Sequence, residues 1–194
     1  MVKLNKIYTR SGDEGITSLG DGTRAQKNSI RLMAIGEIDE TNTAIGLAHV
    51  EANKGNPDMA TILSYVQNDL FDLGADISRP GNDPGDGKLR IAEIQVKRLE
   101  QEIDKVNEAL SALTSFVLPG GDELAARLHP ARATARRAER AMVTLTNSEP
   151  VNQQALIYIN RLSDLLFVLA RAANDNGKTD VLWQPGLTRG RNNL

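Results

Sequence analysis

Four charged residues in the second half of the chain have the spacing of a binding surface. Arg132, Arg136, Glu139 and Arg140 stand at i, i+4, i+7 and i+8, so in a helix all four fall along one face. A purely solvated face usually mixes signs more evenly. Three guanidinium groups around one carboxylate instead suit an anion, with Glu139 orienting the arginines or helping to hold a metal ion. Arg137 lies about 100° around the helix from Arg136 and can serve a neighbouring surface. The competing reading is a salt-bridged outer helix with no ligand. A second candidate lies near the N-terminus, where Thr9 to Ser18 reads TRSGDEGITS. Gly12 and Gly15 free the backbone to curl, so that successive N–H groups can converge on one anion, and Arg10, Thr17 and Ser18 add donors. Polyphosphate cradles have this composition, but no Gly-Lys-Thr/Ser follows, so this is not a Walker A motif. The plain alternative is a flexible turn.

Other polar residues sit inside apolar surroundings. Asn160 and Asp164 share a face of ALIYINRLSDLLFVLARAA, where each needs a partner or costs about 1–3 kcal/mol. Interhelical hydrogen bonding and ligand binding explain them equally well. Glu37, Asp39, Glu40 and Asn42 form an acidic helical segment ready to meet arginines. A ferritin-type di-metal site would need Glu-x-x-His elements, and the chain has none. His49 and His129 lack a companion nucleophile or carboxylate pattern and read as structural.

These groups need a frame, and the pattern supplies five helices. Residues 1–27 are glycine-, serine- and threonine-rich without helical period, with short strands expected around Lys6–Thr9 and Ile16–Leu19. Amphipathic runs follow at about Ser29–Glu51 (with Ile30, Met33, Ile38, Ile45 and Leu47 apolar), after Asn56-Pro57-Asp58 to Ile77, at Ile91–Leu110 (Ile94, Leu99, Ile103, Val106), at Glu123–Leu145 and at Val151–Asn174. The connectors are SRPGNDPGDGK (Ser78–Lys88), SFVLPGGDE (Ser115–Glu123) and the Asn147–Pro150 turn; the tail Gly186–Leu194 is expected to be poorly ordered. The expected fold is all-α: a five-helix bundle with a non-helical Gly-rich N-terminal arm, organised as arm 1–27, bundle 28–176 and tail 177–194.

Composition narrows the functions. The 194 residues carry 23 basic and 25 acidic side chains, a net charge of -2, which provides no general field for nucleic acid. There is no cysteine, which removes disulfides, thiolate metal sites and cysteine nucleophiles, and with only two histidines a multi-histidine metal site is out of reach of one chain. No run approaches the roughly 18 apolar residues of a membrane span, and the N-terminus lacks the apolar core of a secretory signal. A cytoplasmic location is expected. Aromatic residues make up 4% of the chain, so the core must be Leu, Ile, Val and Ala, which favours closely packed helices.

Taken in order, YTRSGDEGITSL, Lys27 with RLMAIGEIDETNTAIG, FVLPGG, RATARRAERAMV and YINRLSDLLFVLAR resemble the PduO-type ATP:cob(I)alamin adenosyltransferases over Ile7 to Arg171. The resemblance implies a homotrimer with ATP bound between neighbouring subunits, and transfer of the 5′-deoxyadenosyl group to cob(I)alamin with release of triphosphate. It also implies that Thr9, Arg10, Ser11 and Gly12 with Thr17 and Ser18 wrap the phosphates and that Lys27 adds a charge. Arg136, Arg137, Ala138, Glu139, Arg140 and Asn160 would complete the nucleotide site from the adjacent subunit. Mg²⁺ would accompany the triphosphate, with no protein metal ligand assigned. Asp39 and Arg132 resemble the family's intersubunit pair, and Phe116 the phenylalanine closing the lower face of the corrin. Arg136, Glu139 and Phe116 are thereby the expected catalytic group. A cob(II)alamin reductase and an adenosylcobalamin-dependent client enzyme are candidate partners. The Ser78–Lys88 loop has no firm counterpart, nor has the tail with Arg189 and Arg191.

Physical chemistry agrees with these implied roles. Cob(I)alamin is a strong nucleophile, so no protein base is needed. The leaving triphosphate carries about four negative charges, which leaves positioning and cations as the means of catalysis. An apolar ring at Phe116 could displace the lower axial ligand and ease reduction of the cobalt; the alternative is a core residue under a loop. Two other classes of function compete: a bundle that senses ATP or delivers a corrinoid without turnover, and a structural helical trimer with no ligand. The latter leaves the clustered arginines unexplained.

Overall fold

The computed structural model describes residues 7–81 and 87–189. The centre of the Ser78–Lys88 loop and Arg191 of the tail lie outside the described residues. A hairpin of β1 (Ile16–Ser18) and β2 (Arg24–Gln26) precedes five helices, α1 (Ile30–Ala52), α2 (Pro57–Ile77), α3 (Glu93–Asn107), α4 (Glu123–Thr146) and α5 (Gln153–Ala173). Across the bundle the helices run α2, α1, α4, α5, α3, so α4 is clasped between α1 and α5.

The expected first strand at Lys6–Thr9 does not form in its described part, residues 7–9. The partner of β1 is β2, antiparallel with Ile16 opposite Gln26. The turn between them supplies the reason. Asp21 accepts from the Thr23 backbone N–H (2.9 Å) and hydroxyl (2.7 Å), folding the chain back on itself within five residues.

Each helix begins on a residue suited to that place. Ser29, Asp122 and Asn152 cap α1, α4 and α5 by accepting from Leu32, Leu124 and Gln154 N–H groups. Pro57 stands in the first turn of α2, and the Gln95 side chain accepts the Ala92 N–H ahead of α3. The core face of α1 is Ala34, Ile38, Thr41, Ile45, Ala48 and Ala52, while Ile30, Met33 and Leu47 are exposed. The expected stripe is thus rotated, because small residues carry the packing. In α3 Val96 and Leu99 are buried, whereas Ile94 points outward.

Buried polar groups fasten both ends of the bundle. At one end Arg31, 3% exposed, donates to Ile77 O (2.5 Å) and Glu149 Oε2 (2.5 Å), joining the start of α1 to the ends of α2 and α4. Gly20 N–H donates to Ser78 O (2.8 Å), which docks the hairpin at that same end. At the other end Asn174, fully buried, accepts from Asp122 N–H (2.8 Å) and donates to Gly120 O (3.2 Å), fixing the entry to α4. Gly121 sits there with φ +97°, and a Cβ on it would fall on the Asn174 carboxamide. Gly121→Ala is therefore expected to destabilise the protein by about 1–3 kcal/mol. Chemical denaturation with an unshifted midpoint would contradict this account.

Candidate functional site

The N-terminal arm is a curl of backbone pinned from below. Lys27 Nζ donates to Gly12 O (2.7 Å) and Lys27 N–H to Gly15 O (2.8 Å). Arg24 donates to Ser11 O (2.9 Å) and Ser18 Oγ (3.1 Å), and the Thr9 and Ser11 hydroxyls share a hydrogen bond of 2.8 Å. Arg10 and Gly15 take positive φ, 59° and 78°, which turns the chain sharply at both ends of Ser11–Glu14. Thr9, Arg10, Ser11 and Gly12 thus lie in one short turn held against β1, which carries Thr17 and Ser18, and against Lys27 just after β2. Arg24 was not among the residues singled out from sequence. Its signal was only its position between the turn and Lys27.

On α4, Arg136 and Arg140 are exposed, and Arg140 donates to Arg136 O (3.0 Å). Arg136 has no ion-pair partner among the described residues. Glu139 is half-buried and accepts from Asn160 Nδ2 on α5 (2.7 Å). Asn160 Oδ1 in turn accepts from Arg161 (2.7 Å), which is paired with Glu100 of α3 (2.9 Å). The interhelical bond expected as an alternative for Asn160 therefore exists, and it holds the carboxylate beside the free arginine. Ala138 is buried between Arg137 and Glu139, its methyl group in the core. Arg137 binds Glu37 and Glu40 of α1, whose hydrogen bonds and, after them, charges raise its pKa; this occupies two carboxylates of the acidic segment and locks α4 to α1.

Arg132 lies 5.2 Å from the centre of the Phe167 ring, a cation–π contact. Burial and Arg136 lower its pKa, and Asp164 opposes them. Asp39 is exposed and forms no ion pair with Arg132 or any other described residue of its own chain. It stands at the rim of an apolar groove of about 540 Å³ between α1 and α2, lined by Leu32, Gly36, Leu70, Phe71 and Gly74. His129 is buried, and burial, then Arg132, depresses its imidazole pKa. No cluster of three metal-ligating side chains occurs among the described residues, and no described helix is long and apolar enough to cross a membrane.

Phe116 is 77% exposed, so it is not a core residue under a loop. Its segment pairs with the chain after α5 through a bridge between Val117 and Leu182, and its ring meets Trp183 edge-on at 5.9 Å and 63°. Phe116 precedes the N-terminus of α4, whereas the arm is docked near the C-terminus of α4. At about 1.5 Å per residue, the 24 residues of α4 separate them by roughly 36 Å. No hydrogen bond or ion pair among the described residues joins residues 7–27 to α4 or α5. The arm and the Phe116 loop thus stand at opposite ends of α4 within one chain.

A family model described as cobalamin adenosyltransferase matches residues 7–173. The chain is 48% identical to a corrinoid adenosyltransferase of Mycobacterium leprae over 193 residues, spanning 95% of this chain and 98% of that protein. It is 47% identical to a cobalamin adenosyltransferase of Cupriavidus metallidurans, spanning 94% of this chain and 96% of that protein. Its fold matches that of a phenylalanine-to-histidine variant of a PduO-type ATP:corrinoid adenosyltransferase from Lactobacillus reuteri complexed with cobalamin and ATP. That match has a TM-score of 0.86 and 38% identity, and covers 93% of this chain and 97% of the other.

The pinned curl makes a prediction of its own. Arg24→Ala removes the donor to Ser11 O and Ser18 Oγ, so amide hydrogen exchange in the arm should accelerate while α1 to α5 keep their protection. Unaltered exchange in the arm would show that Arg24 does not hold it.

Proposed function

The chain belongs to the cobalamin adenosyltransferase family, and on that premise we propose how its two half-sites combine in catalysis. It is a transferase that adenosylates a corrinoid at the expense of ATP. The arm of one subunit wraps the triphosphate of ATP with Thr9, Arg10, Ser11, Gly12, Thr17, Ser18 and Lys27, and Arg136, Glu139, Arg140 and Asn160 of the neighbouring subunit close over the nucleotide. The observation that carries this reading is the separation of arm and Phe116 along α4, since a single chain cannot bring phosphate cradle and aromatic ring to one reaction centre. A trimer closes such a head-to-tail contact by rotation. The apolar groove beside Asp39 is a suitable contact surface, with the unpaired Asp39 meeting Arg132 of the adjacent subunit.

The chemistry then follows from placement. The cobalt of cob(I)alamin donates its electron pair to the ribose 5′ carbon; a Co–C bond forms as the C5′–O bond breaks, and triphosphate departs. Arg136 has no ion-pair partner among the described residues and is free to meet the charge that grows on the leaving oxygen. Glu139, itself anchored by Asn160, orients the cationic face. Mg²⁺ fits this donor set only as an ion held largely by phosphate oxygens and water, since the described residues offer no carboxylate cluster. When bound it neutralises triphosphate charge. Phe116 presents its ring to the lower face of the corrin and excludes the axial ligand. Arm 1–27, bundle 28–176 and tail 177–194 act as one unit, placed in the cytoplasm, where ATP and reductant are supplied. A cob(II)alamin reductase and an adenosylcobalamin-dependent enzyme would stand before and after it.

The decisive experiment is anaerobic: protein, ATP, Mg²⁺ and preformed cob(I)alamin, followed by visible spectroscopy with triphosphate assayed in parallel. Adenosylcobalamin plus triphosphate is the expected result. Saturable ATP binding without product would instead indicate a sensor or carrier. Arg136→Ala and Glu139→Ala should each lower turnover by about 100-fold or more while the trimer persists in sedimentation; wild-type rates would remove both from the site. Phe116→Ala should slow the reaction begun from cob(II)alamin and reductant more than the reaction begun from cob(I)alamin. Equal losses would exclude the role in displacing the axial ligand.

A further inference from the structure

Phe116 is exposed, but the loop that carries it is anchored in the protein interior. Arg171, in the last turn of α5, donates to Asp180 Oδ2 (2.8 Å) and to Ser111 O (2.7 Å); the Arg171 and Asp180 side chains are 5% and 1% exposed. The other oxygen of Asp180 accepts from Asn174 Nδ2 (3.2 Å), and Asn174 holds Gly120 and Asp122. The cluster therefore grips the Ser111–Asp122 loop at both ends. The middle is held by the residues directly after Asp180. Leu118 N–H donates to Val181 O (2.7 Å), Trp183 N–H to Phe116 O (2.8 Å) and Ser115 Oγ to Trp183 O (2.8 Å).

A buried ion pair is a poor way to gain stability, because both charges lose water. Apolar residues of similar volume would serve a bundle that needed only to stay folded. What the charges provide is a fixed geometry, and every bond that leaves this cluster for the loop ends within six residues of Phe116. Asp180 is the common acceptor of Arg171 and Asn174, and it starts the strand that carries Trp183 against the Phe116 ring.

We infer that Asp180 is a positioning residue for the corrin face: through Arg171, Asn174 and the Val181–Trp183 strand it fixes the height and tilt of the Phe116–Trp183 ring pair. This rests on the reading that Phe116 faces the corrin. Without the carboxylate, Arg171 is left buried without a counter-ion, the strand loses its anchor, and the ring samples several positions. A loosely held ring can still allow adenosyl transfer to cobalt that is already reduced. It cannot hold cob(II)alamin in the one geometry in which reduction is eased, since small misplacements cost rate steeply.

Trp183 is the single tryptophan of the chain, so its fluorescence reports on this shelf directly. In Asp180→Asn, the Trp183 emission should shift to longer wavelength and acrylamide should quench it more strongly, with far-UV circular dichroism and ATP binding retained. The reaction begun from cob(II)alamin and reductant should fall about tenfold further than the reaction begun from preformed cob(I)alamin. Unshifted emission, or equal losses from both cobalt states, would overturn the inference. Should Asp180→Asn fail to fold, Leu118→Pro deletes the amide bonded to Val181 O outside the helices, and it is read by the same measurements with the same outcomes expected. The two readings fail separately: absence of product from the unaltered protein would sink the reaction, whereas the Asp180→Asn emission still decides whether Asp180 holds the shelf.

Discussion

Small side chains on α4 let two helices close on it at once. Ala131, Ala135 and Ala138 are fully buried, spaced four and three residues apart, and continue into Met142 and Leu145. Small side chains at these three positions allow α1 and α5 to pack closely on α4. That closeness places the polar positions beside the stripe within reach of the neighbouring helices. Arg137 meets Glu37 and Glu40 on one side, and Glu139 meets Asn160 on the other. Arg136 and Arg140, further round, are left for a ligand. A larger residue at Ala135 or Ala138 would push the helices apart and undo both seams together.

The two ends of this sandwich are built differently. At the C-terminal end of α4, Arg31 bonds to Glu149 and Ile77 and so steadies the base on which the hairpin docks. At the N-terminal end, Arg171, Asp180 and Asn174 hold the loop of Phe116. Both ties are buried arginines bonded to a carboxylate and a backbone carbonyl. They act as geometric fasteners more than as sources of stability, because the cost of taking the ions out of water consumes most of what the pairs contribute. The glycine-rich arm at one end and the aromatic ring of Phe116 at the other lie roughly the length of α4 apart.

The chemistry asked of these groups is modest in kind and demanding in position. A nucleophile as strong as cob(I)alamin needs no base, which suits a chain whose His129 is buried, with burial and then Arg132 lowering its imidazole pKa. The difficulty lies in gathering cations on a departing triphosphate and in seating the corrin. In the proposed mechanism the guanidinium of Arg136 meets the first need, and the exposed ring of Phe116 meets the second.

Much of this was legible in the sequence, for reasons of period and punctuation. Five amphipathic runs gave five helices, and the breaks at Asn56-Pro57, Asn147–Pro150 and SFVLPGG fell where the chain does turn. The spacing of Arg132, Arg136, Glu139 and Arg140 placed them along α4 because the α-helical period is fixed by the backbone. On α1 the expected Ile38 and Ile45 are buried, whereas Ile30, Met33 and Leu47 are exposed, since Ala34, Ala48 and Ala52 outrank them only once close packing with α4 is known. Whether Phe116 was core or surface was undecidable from composition, as an apolar residue beside Pro119 and Gly120 fits either. The role of the Arg171–Asp180–Asn174 cluster went unseen because the loop it holds is remote along the chain: Ser111 is 60 residues from Arg171 and Asp122 is 52 from Asn174. The sequence by itself determined the helices and the residue types available to bind phosphate, both being local properties. Only the tertiary structure decided which charges are spent on holding the fold and which remain for a ligand, because that depends on who meets whom across helices.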